Sequence, residues 1–228
     1  MTDGKILISG TGRAGTSLLV AILSDLGLDT GFAPGVRIDP ASNAGLERGM
    51  LRPDAPRIVK VPGQLFALGD VLDRGVVDVE HVIVPVRDLA VASASRVRVA
   101  GYGRRQGARG GLAGTWRPGH QERVLAEAFY SFVHALVHFD VPFTMIDFPR
   151  FAGDWEYLHA KLGFLAPEIP AAEWERVVTA RYQPQLVHEQ ALTRAERTRV
   201  VLGTPVALVS RAARGLSRRT GSNSGGRA

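Results

Sequence analysis

The chain has 228 residues, 45% of them hydrophobic, a formal net charge of +6 and no cysteine. That length supports one sizeable core, and the lack of cysteine excludes disulfides, thiolate metal ligands and thiol catalysis. The positive balance rests on arginine, since Lys5, Lys60 and Lys161 are the only lysines; it suits a polyanionic ligand, but without the interleaved aromatics of a base-stacking platform it does not point to nucleic acid.

Met1-Thr2-Asp3-Gly4 runs straight into an apolar segment without a basic, apolar leader, and no run approaches the ~20 residues of a membrane span. A soluble, cytoplasmic protein with little membrane association is the expectation. Lys5 to Ser9 reads as a short buried strand and Gly10 to Gly15 as a tight loop. Thr16 to Leu26 reads as a helix with Leu18, Leu19, Ile22, Leu23 and Leu26 at helical spacing. Residues 28–56 carry many glycines and prolines and form an excursion over the sheet rim, with a short helix expected around Ala44 to Met50. Arg57 to Val61 is a second strand, followed by a helix from about Gln64 to Leu72.

His81 to Val86 is a third strand, apolar throughout as in a parallel sheet covered on both faces. It ends at Arg87-Asp88, and a helix is predicted over Leu89 to Val99. Residues 101–119 turn to glycine and arginine and read as a long loop, either a lid or an insert without function. Glu122 to Phe139 is an amphipathic helix on which His134 and His138 share a face. No third ligand lies near them, so no metal site is assigned. Pro142 to Ile146 is a fourth strand, with helices at Asp154 to Leu162, Ala171 to Ala180 and about Thr193 to Leu216. The last of these includes a basic amphipathic stretch. One domain over 1–216 and a flexible tail over 217–228 are expected, and nothing in the sequence sets an oligomeric state. Strands alternating with helices predict an α/β three-layer sandwich with a mainly parallel sheet, its ligand beyond the carboxyl ends of the strands.

The glycine loop carries the functional argument. Gly10, Gly12 and Gly15 permit a concave nest of inward N–H groups at a helix N-terminus, which holds a phosphate-like anion. The run Gly10 to Ser17 fits G-x-x-x-x-G-K-[ST] except that Thr16 stands where the lysine belongs. A kinase or nucleotide triphosphatase needs that lysine and a magnesium-binding aspartate. Asp88 and Asp147 are the available carboxylates, and both also suit helix starts or turns. A sulfuryl group is less charged than a phosphoryl group and needs no obligatory metal. Its transfer requires a cation at the leaving oxygen, N–H groups around the sulfuryl oxygens and a base for the acceptor.

Arg13-Ala14-Gly15-Thr16-Ser17 resembles the 5′-phosphosulfate loop of sulfotransferases that use 3′-phosphoadenylyl sulfate (PAPS). Val82-Ile83-Val84-Pro85-Val86-Arg87-Asp88, with Ser95 eight residues after Arg87, resembles the same family's 3′-phosphate motif. Thr144 to Phe148, Trp155 to Leu158 and Leu162 to Leu165 are similar to its C-terminal strand and helix, so the resemblance spans about residues 5–165. It implies a P-loop NTPase-like fold, PAPS as donor and its bisphosphate as product. The acceptor would be a hydroxyl or amine of a small molecule, carbohydrate or lipid. Residues Gly12, Arg13, Ala14, Gly15, Thr16, Ser17, Arg87 and Ser95 would hold the nucleotide, with Arg13 also catalytic.

Lys60-Val61-Pro62 has proline where cytosolic members carry the histidine base. Other members use a glutamate after the first helix, and in Asn43-Ala44-Gly45-Leu46-Glu47 that role falls to Glu47, with Asp39 as the alternative. The family's C-terminal Arg-Lys-Gly element has no counterpart, and Arg104, Arg105 and Arg109 are candidates to replace it. The alternatives are a divergent small-molecule kinase using ATP and a nucleotide-binding protein without turnover. The acceptor pocket is expected among 28–56, 101–119 and 122–139, with Phe32, Trp116, Phe129 and Tyr130 as its aromatics.

Overall fold

A computed structural model of the chain describes residues 4–38, 45–105 and 111–182, apart from the side chains of 101–105. All lie in one compact unit, Met1–Glu189; the predicted helix over 193–216, the 216 boundary and the tail fall outside the described residues.

Four strands, β1 (Lys5–Ile8), β2 (Ile58–Lys60), β3 (Val79–Val86) and β4 (Phe143–Asp147), form one sheet in the order β2-β1-β3-β4. Every pairing is parallel, with Ile8 opposite Lys60 and Ile83, and Val86 opposite Asp147. The period-two alternation of strand side chains divides the apolar residues between two faces. Ile6, Ile8, Ile58, Ile83 and Ile146 point to one core, which they share with α1 (Thr16–Asp25), α6 (Trp155–Leu162) and α7 (Ala171–Arg181). Leu7, Val59, Val82 and Val84 point to the other, with α2 (Leu68–Asp73) and α4 (Gln121–His138), the latter packed on α3 (Leu89–Arg105). A short α5 (Arg150–Gly153) precedes α6. The fold is thus the α/β three-layer sandwich that the alternation predicts, with an all-parallel sheet. Among the described residues no helix is long and apolar enough to cross a membrane.

β1 lies between β2 and β3, so the chain leaves β1 toward one side and returns on the other. The order thus reverses at the carboxyl ends of β1 and β3, the place where open α/β sheets bind ligands. The glycine loop follows β1 and Arg87 follows β3, so both lie at that reversal.

The local predictions need several corrections. No helix forms over 45–50: Leu46 has φ 56, outside the right-handed region, and the Gly45 carbonyl accepts from Lys60 instead of a helical amide. The helix expected over 64–72 is a 3-10 turn at Pro62–Leu65 followed by α2. β4 starts and ends one residue later than predicted, because Asp147 pairs with Val86. Helix α3 continues six residues beyond Val99, through Gly101 and Gly103 to Arg105. The loop expected from 101 therefore begins as helix. Its C-terminal part is anchored: the buried Gln121 amide accepts from the Ala113 N–H at 2.7 Å and donates to the Ala113 carbonyl at 2.9 Å. His134 and His138 are exposed on α4 and stack on each other at 5.8 Å.

Candidate functional site

The loop between β1 and α1 takes the conformation its glycines allow. Gly12 (φ 66), Arg13 (φ 57) and Gly15 (φ 72) are left-handed, and Gly10 lies at φ 150. Gly15 is required twice over. Besides its φ, a Cβ there would sit 2.4 Å from the Phe148 ring and 2.8 Å from that of Phe151. Arg13 occupies a conformation costing a non-glycine residue on the order of 1 kcal/mol. Such strain accumulates at sites where the surrounding structure over-determines the backbone. Leu46 is strained in the same way, one residue before Glu47.

Cations converge on this loop from three strands. Arg13, from the loop itself, donates through Nε to Ser95 Oγ at 3.1 Å. Arg87, at the end of β3, donates through Nη1 to the Arg13 carbonyl at 3.1 Å and lies 5.1 Å from the Phe148 ring centre. The two motifs that the sequence places after different strands therefore meet at Arg13. Ser95 is buried and reaches the loop from the second turn of α3, whose N-terminus is capped by the Asp88 carboxylate accepting from the Val91 N–H at 3.0 Å. Asp88 is thus a capping residue. Asp147 is exposed at the far edge of the sheet. Among the described residues no group of three or more histidine, aspartate or glutamate side chains forms a metal site.

Lys60 and Arg96 lie among these residues, and the sequence assigns a role to neither. The Lys60 side chain is 4% exposed, donates from Nζ to Ser17 Oγ at 3.0 Å and to the Gly45 carbonyl, and stands 3.5 Å from Glu47 Oε1. Ser17 in turn donates to the Gly45 carbonyl at 3.2 Å. Glu47 is thereby held beside the first turn of α1. Its legible signal is a lysine ending an apolar strand that flanks the glycine strand, in a chain with three lysines. Arg96 follows Ser95 on α3 and donates through Nε at 2.9 Å and through Nη2 to the Thr11 carbonyl.

Burial lowers the pKa of Arg13, Arg87, Arg96 and Lys60, and the cations reinforce one another's shift. Arg98 acts on Arg13, and Arg13 acts on Arg87, Arg96 and Lys60. Glu47 opposes the shift at Lys60 and Arg96, and Asp88 opposes it at Arg87. Gathering like charges in a partly desolvated place is unfavourable unless an anion joins them. Ala14 is buried in the loop and Thr16 in the first turn of α1.

Of the remaining expected residues, Asp39 and Arg109 lie outside the described residues, and the side chains of Arg104 and Arg105 do too. Phe32 lies under the Arg48 guanidinium at 4.7 Å and Phe129 packs against the second core, whereas Trp116 and Tyr130 are exposed. No family model, curated protein or solved structure matches this chain.

Proposed function

We propose that the protein is a PAPS-dependent sulfotransferase, acting on a hydroxyl or amine of a small molecule, carbohydrate or lipid. The observation that carries this reading is the Lys60 ammonium on Ser17 Oγ. Ser17 stands at the position where a Walker loop binds magnesium, and here a buried lysine from the neighbouring strand supplies the positive charge instead. A site with its cations built in suits a sulfuryl group, which carries less charge and needs less neutralisation. The pairing of Arg13 with Ser95 and Arg87 supports a second phosphate beside the first.

In this reading the nest amides and Lys60 receive the 5′-phosphosulfate, and Arg87 with Ser95 takes the 3′-phosphate. The acceptor oxygen or nitrogen forms a bond to sulfur as the bond from sulfur to the bridging oxygen breaks. The electron pair of that bond stays on the departing bisphosphate, where Arg13 offsets the charge. The acceptor proton passes to the Glu47 carboxylate, 3.5 Å from Lys60.

Calorimetry with adenosine 3′,5′-bisphosphate, against ATP with and without magnesium, tests the donor. Tight binding of the bisphosphate without magnesium is expected, weakened by Arg87→Ala by on the order of 2 kcal/mol, about thirtyfold. Indifference to the 3′-phosphate, or magnesium-dependent ATP binding, would refute it in favour of a kinase. With an acceptor panel, Glu47→Gln should lower turnover by about 100-fold or more while leaving bisphosphate affinity nearly unchanged. Tight binding with no turnover on any acceptor would leave only a nucleotide-binding protein.

A further inference from the structure

A nest presents amide N–H groups only if each peptide is turned the right way, and the carbonyls on its outer side need donors. The Thr11–Gly12 peptide is trans, so the Gly12 N–H points opposite to the Thr11 carbonyl. Arg96 grips that carbonyl with two nitrogens, Nε and Nη2. Its third nitrogen, Nη1, donates to the Gly111 carbonyl at 3.3 Å. The guanidinium fills the space beside Gly12 so closely that a Cβ there would lie 2.3 Å from Nη2. Arg87 makes the equivalent contact two peptides further on, at the Arg13 carbonyl, whose peptide partner is the Ala14 N–H. One strand-helix unit thus holds two alternate peptides of the loop from outside.

We propose that Arg96 is a positioning residue for anion binding. With all three of its nitrogens on main-chain carbonyls it is committed to the protein, and it turns the Gly12 N–H toward the anion. Through Gly111 and the Ala113–Gln121 pair it also braces the loop against the start of α4. The inference rests on the reading of the glycine loop as an anion site and not on the identity of the transferred group. It differs from a charge effect in one respect. Lysine at 96 keeps the charge but loses the two-point grip on Thr11.

The test uses the full chain, isotopically labelled, with inorganic pyrophosphate and adenosine 3′,5′-bisphosphate as probes. Calorimetry gives the affinity, and the Gly12 amide proton reports whether that N–H receives a hydrogen bond. In the wild type the Gly12 signal should move downfield on saturation. Arg96→Ala should bind both probes about tenfold more weakly or worse, a tenfold change being about 1.4 kcal/mol. Arg96→Lys should fall between the two, with a diminished Gly12 shift. Arg117→Ala, which removes an exposed charge stacked on Trp116, should match the wild type. If Arg96→Lys binds like the wild type with the same Gly12 shift, the proposal falls and the anion site stands. If the wild type binds neither probe, both fall together. A wild-type Gly12 amide that stays in place at saturation overturns the proposal without any variant, so misfolding of a mutant does not shield it.

Discussion

The two ends of the sheet treat charge in opposite ways. At the amino ends of the strands, cations meet carboxylates: Arg57 reaches Glu80 at 2.9 Å, and its N–H donates to the Asp29 carboxylate at 2.7 Å. At the C-terminal end of α1, which returns to this side, Arg181 forks onto both Asp25 oxygens and donates to the Val36 carbonyl. A cavity of about 320 Å³ opens there among Ile6, Leu26, Ile58 and Ile169; its wall carries Asp29, Arg57 and Glu168, the first two joined through the Arg57 N–H. At the carboxyl ends Arg13 donates to the Ser95 hydroxyl, Arg87 and Arg96 donate to loop carbonyls, and Lys60 stands 3.5 Å from Glu47. The cavity marks neither the chemistry nor an electrostatic demand. The crowded cations mark an electrostatic demand, and the contrast sets the edge where cations meet carboxylates against the edge proposed to take the ligand.

The sharpest way to break this contrast is at Gly15. Gly15→Ala adds a methyl group against Phe148 and Phe151 and forces a side chain onto φ 72. Relieving the clash must move either the loop or the aromatic pair beneath it, at an expected cost of about 2–4 kcal/mol. Urea unfolding should show that loss, and pyrophosphate binding by any remaining folded protein should be abolished. Full anion affinity in a folded Gly15→Ala protein would show that the loop geometry does not matter to the ligand.

Asp25→Asn makes the complementary cut. It removes the carboxylate that receives Arg181 at 2.5 and 2.7 Å and the Gly35 N–H at 2.7 Å. Unfolding should show a loss of about 1–2 kcal/mol at neutral pH, with unchanged affinity for pyrophosphate. Arg181 is the main cause that holds the Asp25 carboxyl below its ordinary pKa. The stabilisation is therefore present above the unfolded pKa of about 3.9 and lost as pH falls through the folded value. The variant should accordingly lack part of the wild type's acid sensitivity. A change in anion binding instead would deny that the two edges are independent.

How much of this was legible beforehand follows from the range of each interaction. The isoleucine and valine runs of β1 and β3 carry their own evidence of burial on both faces, and the loop glycines carry their positive φ. Arg13, Arg87 and Ser95 do come to one place, because the glycine loop and α3 each follow a strand end and a parallel sheet gathers those ends on one side, whereas Glu47, in the 28–56 excursion, is brought there by Lys60. Arg96 shows no local signal, because its role is a contact across 85 positions of sequence, and Lys60 shows only its place at the end of an apolar strand, its contact with Ser17 lying across 43 positions. The missing helix at 45–50 has the same origin: Leu46 takes φ 56 beside a carbonyl held by a lysine from β2. α3 outran its prediction because two glycines only lower helix propensity, and packing on α4 overrides that.

The smallest effect belongs to the amino ends of the strands and depends on pH. His81 in β3 shares a hydrogen bond with Thr144 of β4 at 2.9 Å and packs against the Phe164 ring at 5.0 Å. Burial lowers its pKa below the ordinary 6.5, and Glu80 only partly opposes this. Between the folded pKa and 6.5 the unfolded chain binds a proton that the folded protein excludes, so stability falls as pH drops through that window. The half-exposed ring limits the effect to a few tenths of a kcal/mol. His81→Gln keeps a partner for Thr144 and should flatten that part of the stability profile, measured by urea unfolding at closely spaced pH values. Bisphosphate affinity over the same range should be identical in variant and wild type, because His81 faces β4 and the amino-terminal half of the sheet, away from the cations at the carboxyl ends. A shared shift in both measurements would tie the two edges together and remove the distinction on which the assignment of the site depends.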